Sequence, residues 1–429
     1  RADVPRRRLL RLRGHGRPRS LQGALRRHYR QSLERGPRRC SREGLHARPV
    51  PEGLTFMMRK YSGVLSHMTQ EDCGIVRLSV VVTSYNHERY IRDALDGIVA
   101  QNTSFKYEVI VHDDASIDGS QKIIGDYAER YSVIKPIFQK TNQYGKGEHV
   151  FYKYILPEIK GEYIAFCEGD DYWIRNNKLQ EAVDYLDSHQ DCGAVYHNCV
   201  IVDSANRQSA DLAQLKSCYR IFEEKDYSLL EFAASGVFPG QLAGMTIRKS
   251  AFGAVCGGPS EYLGVFHHSN GDGQNLILAY GIGRVHILPA VAVAHRVVVD
   301  SGGSWSAINH SKNNLGELCA AQLELRKLAK KSGARFFWNY WSIGRLGLRA
   351  LVKSRISPTM ENTRQADIVF SLFDNRVSCI LSLAKDLMLG FPIRMFFRIK
   401  LILFRGTSGS LCFDESVPVD LPTLLRNRF

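Results

Sequence analysis

Carboxylate side chains cluster at two points in the sequence, each directly after a short apolar run. Ionised carboxylates accept hydrogen bonds from the N–H and hydroxyl groups of a ligand, and they hold hard divalent cations through oxygen. In the second cluster, positions 168 and 170 are two residues apart, so in extended backbone both side chains project from the same side. This pattern indicates a ligand site, although Asp and Gly are also common in the turns that follow strands. The clusters are Asp113-Asp114 and Glu168-Gly-Asp170-Asp171.

Alternating strands and helices must position these clusters. Short β-branched apolar runs predict buried strands, and the segments between them have apolar residues at helical spacing. This pattern predicts an α/β protein with a Rossmann-like, mostly parallel sheet and helices on both faces. Since ligands of such sheets bind at the carboxyl ends of the strands, both clusters are expected to face one crevice. The predicted strands are 78–83, 107–112, 133–138, 163–167, 194–202 and 285–299.

Four segments of the chain resemble glycosyltransferase family 2, with its GT-A fold, and in particular its bacterial members with an EGDDYW motif. Three segments are similar to the family's nucleotide-binding motifs, and the fourth is similar to its acceptor-side motif. Together they cover about residues 77–306, in the order that the family has. The segments are SVVVTSYNHERYI, VIVHDDASIDGS, YIAFCEGDDYWIRNNKLQ and GDGQNLILAYGIGRVHILPAVAVAHRVVVDSGGSWS.

The resemblance implies a pocket for a nucleotide-sugar donor, expected to be UDP-linked. Thr83 and Tyr85 occupy the positions that line the uracil pocket in the family, and Asp114 occupies the position that accepts the N–H of the base. Glu168 and Asp170 stand at the two places of the family's DxD element. Asp170 is therefore expected to be the ligand of a Mg²⁺ or Mn²⁺ ion.

The same resemblance implies that Asp272 is the general base. It would take the proton of an acceptor hydroxyl as that oxygen attacks the anomeric carbon from the face opposite the leaving group. Direct displacement of this kind inverts the anomeric configuration. Asp171 stands beside the DxD element and is expected to support it. From the residues alone, Asp272 also fits a helix N-cap, where Asp complements the helix dipole.

The sequence departs from the family pattern at two places. His295-Arg296 stands where Tyr-Arg is usual, and Val297-Val298 replaces the His that is expected shortly after the Arg. His295 is therefore either a histidine of the strand interior or a contact of the diphosphate or the metal. The segment GDG at 271–273 lacks the aromatic residue or proline that usually follows the Asp, so the acceptor pocket is expected to differ.

The net charge of +15 belongs almost entirely to the N-terminal segment. Residues 1–56 contain 16 arginines, no lysine and four acidic residues, and so account for +12. This composition is typical of disorder, and residues 1–76 are predicted to be a basic, disordered extension. We expect residues 1–56 to be an over-extended start or a disordered appendage; the alternative is an arm that binds nucleic acid or anionic lipid. No nucleic-acid partner is expected.

Two C-terminal segments, 337–351 and 391–404, are apolar but interrupted by basic residues. On a helix, Arg394, Arg398 and Arg405 share one face, as in a helix that lies in a membrane interface. The same segments also fit a helical appendage packed on the rest of the protein. No uninterrupted apolar run reaches the roughly 18 residues that a spanning helix needs.

Together these features predict an enzyme of bacterial surface polysaccharide synthesis. Residues 77–310 are expected to form a metal-dependent, inverting glycosyltransferase domain, and residues 311–429 a helical region that contacts a membrane or packs on that domain. The acceptor is expected to be a saccharide or a lipid-linked molecule. The ten cysteines include no C-x-x-C pair, which favours reduced thiols in a cytoplasmic protein, at most peripheral on the membrane's inner face. The alternatives are a nucleotidyltransferase of similar fold and a non-catalytic carbohydrate- or nucleic-acid-binding protein.

Overall fold

The computed structural model describes residues 75–208, 221–229, 241–253, 271–297, 314–334 and 339–403. The predicted N-terminal extension (but for its last two residues), the SGGSWS segment and Arg405 lie outside these ranges. The strands are β1 (Val76–Ser84), β2 (Lys106–Asp113), β3 (Ile134–Phe138), β4 (Tyr163–Glu168), β5 (Tyr172–Trp173), β6 (Cys192–Val202), β7 (Lys225–Tyr227), β8 (Met245–Arg248) and β9 (Arg284–Arg296). The α-helices are α1 (Ile91–Val99), α2 (Ser120–Arg130), α3 (Lys178–Ser188), α4 (Ser250–Gly253), α5 (Gly271–Ile282), α6 (Leu315–Ser332), α7 (Asn339–Ile356), α8 (Met360–Ser371) and α9 (Arg376–Leu403).

The strands form one mixed sheet in the order β3-β2-β1-β4-β8-β6-β9-β5, with β7 also paired to β9. Strands β3, β2, β1 and β4 are parallel. Strand β8 runs antiparallel to both β4 and β6, and β9 is parallel to β6. The predicted α/β class, with helices on both faces of the sheet and a helical C-terminal region, is confirmed. The antiparallel strand β8 lies between β4 and β6, within the mostly parallel sheet that the sequence predicts.

Helices cover both faces of the sheet, and the side chains of β1 are therefore buried on both sides of the strand. Leu78, Val80 and Val82 point into the cluster that α1, α2 and α3 complete. Val81 points to the other side, into the cluster formed with α5 and α6. Successive side chains of a strand alternate between faces, so a continuous apolar run is what a doubly covered strand requires.

The C-terminal helices pack around a smaller apolar cluster of their own. Helices α7 and α9 approach closely, because a Cβ on Gly344 would come within 2.5 Å of the Leu387 backbone nitrogen and one on Gly347 within 2.6 Å of Leu383. Within the described ranges, no helix combines the length and apolarity needed to cross a membrane. The boundary at residue 310 stays a prediction, because residues 298–313 are not described.

Candidate active site

The carboxyl ends of β1, β2 and β4 lie at one edge of the sheet. Ser84 of β1 is in register with Asp113 of β2, and Thr83 is in register with Glu168 of β4. Neighbouring strands are about 4.8 Å apart, so the two acidic clusters flank the end of β1 at a separation of roughly 10 Å. The register therefore brings both clusters to the same edge.

Hydrogen bonds join the loop after β1 to the loop after β2, and we call these two loops the loop pair. Asn86 donates its backbone N–H to Ser116 Oγ (2.8 Å), and its side-chain oxygen accepts the backbone N–H of Ile117 (2.9 Å). The Glu88 carboxylate accepts the backbone N–H of Gly119 (3.0 Å). Because the bonds run in both directions, the loop pair forms one fixed wall beside the sheet edge.

Two residues of the loop pair adopt left-handed backbone conformations. The φ angle is 57° at Asn86 and 64° at Ala115. Asn tolerates this region, whereas in an alanine it costs roughly 1–2 kcal/mol. Such strain persists only where the surrounding contacts hold the backbone in place, and it is common at functional sites.

Asp114, which the resemblance assigns to the base, is buried and holds the neighbouring loop. Its two carboxylate oxygens accept the backbone N–H groups of Gln143 (2.8 Å) and Tyr144 (2.9 Å). Each carboxylate oxygen has a further lone pair and can accept a second hydrogen bond. The contact of Asp114 with the base stays a prediction. Thr83 and Tyr85, assigned to the uracil pocket, are exposed at the same edge.

Asp171 is fully buried and is held by the end of β9. Its carboxylate accepts the backbone N–H of Arg296 (2.9 Å) and lies 2.9 Å from His295 Nδ1. A buried carboxylate needs such partners, because an unpaired one is costly to remove from water. The contact places His295 at the acidic cluster. Its contact with a diphosphate or metal stays a prediction.

Arg296 is buried and connects the loop after β4, which we call the acidic loop, to α1. Its guanidinium donates to the backbone carbonyl of Asp170 and pairs with Asp93 (2.6 Å). The guanidinium carbon lies 4.5 Å from the ring centroid of Tyr90 and 5.0 Å from that of Tyr172. A planar cation with several donors suits this combination of stacking and hydrogen bonding. Arg296 therefore fixes the position of the acidic loop.

Asp170 and Asp272 share one electrostatic environment. Burial raises the pKa of the Asp170 carboxyl, and the charge of Asp171 adds to that rise while His295 opposes it. Burial also raises the pKa of Asp272 to about 6, again with His295 opposing and Asp171 adding. The charges of the same Asp171–His295 pair therefore act on both carboxyls, one from the acidic loop and one from the first turn of α5.

The carboxylates of the acidic loop suit a divalent ion that a ligand helps to hold. Among the described residues, no group of three or more His, Cys, Asp or Glu side chains is arranged to bind a metal ion. Mg²⁺ in enzymes commonly keeps several waters and is bound through one or two carboxylates plus substrate phosphates. Glu168 and Asp170 offer hard oxygen ligands of this type, so they fit an ion shared with a diphosphate.

Two residues, one against the acidic loop and one against the strand β5 that follows it, have no signal of their own in the sequence. A Cβ on Gly169 would come within 2.6 Å of His87 Nδ1, which is buried and has no hydrogen-bond partner among the described residues. Lys178 is fully buried with Nζ 4.4 Å from the ring centroid of Trp173, and burial lowers its pKa to about 7. In the sequence His87 belongs to a turn and Lys178 begins a helix, so only the fold places them here.

Known proteins share the segment that builds this edge of the sheet. The family described as Glycosyl transferase family 2 matches residues 79–251. These residues are a family 2 glycosyltransferase domain. The family 2 domain contains the loop pair and the acidic loop. Asp272 and His295, which complete the arrangement, lie beyond the matched residues.

Curated relatives match less than a third of this chain. An uncharacterized protein of Mycobacterium tuberculosis (strain H37Rv) is 49% identical over 121 residues, which are 28% of this chain and 34% of that protein. Poly(ribitol-phosphate) beta-N-acetylglucosaminyltransferase TarS of Staphylococcus aureus (strain Mu50) is 31% identical over 116 residues, which are 27% of this chain and 20% of TarS. The chain thus spans about a third and a fifth of the lengths of these two relatives.

Solved structures of glycosyltransferases superpose on a larger part of the chain. The superposition on S. aureus TarS in complex with UDP-GlcNAc covers 80% of this chain and 98% of the TarS chain in that structure, at 17% identity and a TM-score of 0.49. A mannosyltransferase from Pyrobaculum calidifontis, in complex with GDP-Man and Mn²⁺, covers 80% and 95%, at 16% identity and a TM-score of 0.40.

Proposed function

We propose that this protein transfers a sugar from a UDP-linked donor to a hydroxyl group of a saccharide or lipid-linked acceptor, with inversion at the anomeric carbon. The observation that carries the proposal is the contact of His295 Nδ1 with the Asp171 carboxylate (2.9 Å), a pair whose charges act on both Asp170 and Asp272. Direct displacement needs a diphosphate-binding group and a base on opposite sides of one anomeric carbon. Two carboxylates from distant parts of the chain supply such a pair.

On the donor side, the nucleotide lies against the loop pair, where Thr83 and Tyr85 are exposed and Asp114 is buried directly after β2. The diphosphate then lies beside the acidic loop, with Asp170 as the ligand of a Mg²⁺ or Mn²⁺ ion. When bound, such an ion acts as a Lewis acid that offsets the negative charge of the departing diphosphate. Arg296 holds the Asp170 backbone in position for this contact.

On the acceptor side, Asp272 takes the proton of the attacking hydroxyl. A pKa of about 6 leaves this carboxyl mostly ionised at neutral pH, and it makes Asp272 a stronger base than an exposed aspartate. Asp272 lies in the first turn of α5, which begins at Gly271, so its position depends on the packing of that helix against β6. The segment around Asp272 differs from the usual family pattern, so we expect this protein to prefer a different acceptor from the family members that have that pattern.

The donor proposal is tested by melting the protein with a panel of UDP-sugars and GDP-mannose, each with and without Mn²⁺. A ligand at a hundred times its Kd stabilises the folded state by about 2.7 kcal/mol, which we expect to raise Tm by roughly 5 °C. We expect this rise with at least one UDP-sugar, and only when Mn²⁺ is present. If only nucleoside triphosphates raised Tm and were turned over, the protein would be a nucleotidyltransferase instead.

We expect His87→Ala to lower turnover of the donor about tenfold, which corresponds to about 1.4 kcal/mol. The substitution removes an imidazole that contacts Gly169 and interacts with the Asp170 charge. His87→Asn keeps a polar atom near the place of Nδ1 and should retain more activity than His87→Ala. His189→Ala is the matched control, because His189 stacks on Tyr185 at the end of α3. Equal rates for His87→Ala and the unsubstituted protein would contradict the assignment.

A further inference from the structure

A π-helical turn at Phe151–Ile155 packs against the face of the sheet that α5 covers. Turns of this kind are rare, and those that proteins keep are frequently found at functional sites. Phe151 lies on Phe166 of β4 (ring centroids 5.8 Å apart) and on Phe252 of α4 (5.2 Å). Tyr152 is buried in the same apolar cluster as the side chains of α5. The packing therefore fixes the π-helical turn against β4.

One tyrosine of the π-helical turn is bonded to the helix that carries the proposed general base. The Tyr152 hydroxyl donates to Gln274 Oε1 (3.1 Å), and each of these two residues is only 4% exposed. Gln274 follows Asp272 by two residues, at the end of the first turn of α5. Loss of one partner of a buried hydrogen bond leaves the other partner unsatisfied, which is unfavourable. The bond therefore holds the first turn of α5 in a defined position.

A second tyrosine of the same turn is bonded to the loop after β3, on the side assigned to the nucleotide. The Tyr154 hydroxyl donates to Gln143 Oε1 (3.1 Å). The backbone N–H of Gln143 in turn donates to the Asp114 carboxylate (2.8 Å). The Tyr154 ring also stacks on His112 of β2, with ring centroids 6.0 Å apart. The π-helical turn therefore contacts both the nucleotide side and the base side of the candidate site.

We propose that the π-helical turn sets the position of the general base relative to the nucleotide. Tyr152 positions Asp272 through Gln274, and Tyr154 positions the nucleotide-side loop through Gln143. The two tyrosines are two residues apart on one turn, so the backbone fixes the distance between their contacts. This role rests on the proposed function, which supplies the base and the nucleotide. It matters for the rate because a misplacement of about 1 Å, caused far from the reacting atoms, can cost roughly a hundredfold.

The kinetic test compares Tyr152→Phe with Tyr154→Phe, which each remove one hydroxyl and keep the ring. We expect Tyr152→Phe to lower kcat about tenfold, because the base is misplaced, and to leave the donor-dependent rise in Tm unchanged. Tyr154→Phe should instead raise the KM for the donor about fivefold, as the loss of one hydrogen bond does, and should change kcat less than Tyr152→Phe does. Tyr107→Phe is the matched control, because the Tyr107 hydroxyl donates to the Ile98 carbonyl (3.1 Å) at the other end of β2.

Hydrogen exchange measures the same positioning without any donor. The amide groups of residues 275–278 donate to the carbonyl groups of 271–274 and so close the first turn of α5. Tyr152→Phe should speed their exchange about tenfold, whereas Tyr154→Phe should speed exchange at residues 143–148 and leave α5 unchanged. Gln274→Met removes the acceptor of the same bond and should have the effect of Tyr152→Phe. The double variant should then exchange no faster than either single variant.

Thermal melting of each variant shows that it is folded. Unchanged exchange in α5 of Tyr152→Phe would overturn the proposal. An equal loss of kcat and of donor binding in both tyrosine variants would also overturn it, because general loosening of the fold has that effect. If the unsubstituted protein transferred no sugar from any UDP-linked donor while exchange changed as expected, the proposed function would fail and the positioning of α5 by Tyr152 would stand.

Discussion

Asp272→Asn is expected to lower sugar transfer by roughly two to four orders of magnitude, the range typical of a lost general base. Asparagine has the same shape and can occupy the same place in the first turn of α5, but it cannot accept a proton from a hydroxyl. Donor binding, measured by the Mn²⁺-dependent rise in Tm, should stay unchanged. The matched control is Glu317→Gln, which removes another carboxylate from the first turn of a helix, α6. Full activity of Asp272→Asn would exclude the general-base role and leave Asp272 as an acidic residue of the first turn of α5, where it complements the helix dipole.

The raised pKa of Asp272 sets the pH dependence of the same step. Below about pH 6 the carboxyl is protonated and cannot act as a base, so transfer should rise with pH up to that value and then level off. The raised pKa also lowers the free energy of unfolding at neutral pH. A carboxyl whose pKa is higher in the folded than in the unfolded state destabilises the fold once it is ionised. Asp272→Asn should therefore be more stable at pH 7, by about 1 kcal/mol after allowance for its partial exposure. This gain should disappear below pH 4, where the carboxyl is protonated in both states.

Asp170→Asn is expected to lower Mn²⁺-dependent donor hydrolysis about a thousandfold. The amide is a weaker ligand for a hard divalent ion than a carboxylate, and the lost charge is the one placed beside the diphosphate. The backbone contact of residue 170 with Arg296 involves the carbonyl group, so the acidic loop should keep its position. The measurement is hydrolysis of a UDP-sugar over a range of Mn²⁺ concentrations.

Two further variants separate loss of a metal ligand from a general loss of charge. Glu168→Gln changes the other place of the DxD element and should give an intermediate loss. Asp184→Asn removes an exposed carboxylate from α3 and should have no effect. If Asp170→Asn responded to Mn²⁺ as the unsubstituted protein does, Asp170 would not be the metal ligand.

The strands that carry the acidic clusters could be predicted because each is a continuous apolar run. The runs 78–83, 107–112 and 163–167 gave β1, β2 and β4 to within two residues at each end, since both faces of these strands are buried. The apolar pattern of 238–247 is consistent with a strand and overlaps β8, but it carries no sign of the antiparallel direction. The pattern of 149–159 favours a regular helix, where the chain instead forms a π-helical turn at Phe151–Ile155 followed by a 3₁₀ turn.

The individual residue types of the candidate site could be listed from the sequence, but their partners could not. Asp114, Asp170 and Asp272 were assigned through family motifs, and these roles stay predictions. The bond between Asp171 and His295, and the position of Arg296 between Tyr90 and Tyr172, depend on how β9 enters the sheet. No periodicity within one segment carries that information, because the contacts join parts of the chain that only the whole fold brings together.

The late arrival of β9 has a consequence for the newborn protein. Asp171 and its partners are 124 and 125 residues apart, so a ribosome adding 5–20 residues per second needs roughly 6–25 s to supply them. During that interval the acidic loop emerges with a carboxylate that cannot yet leave water. A nascent chain that already contains all of residues 79–251 therefore still lacks His295 and Arg296, the partners of Asp171. We expect the acidic loop to stay exposed to water, and accessible to chaperones, until β9 is synthesised.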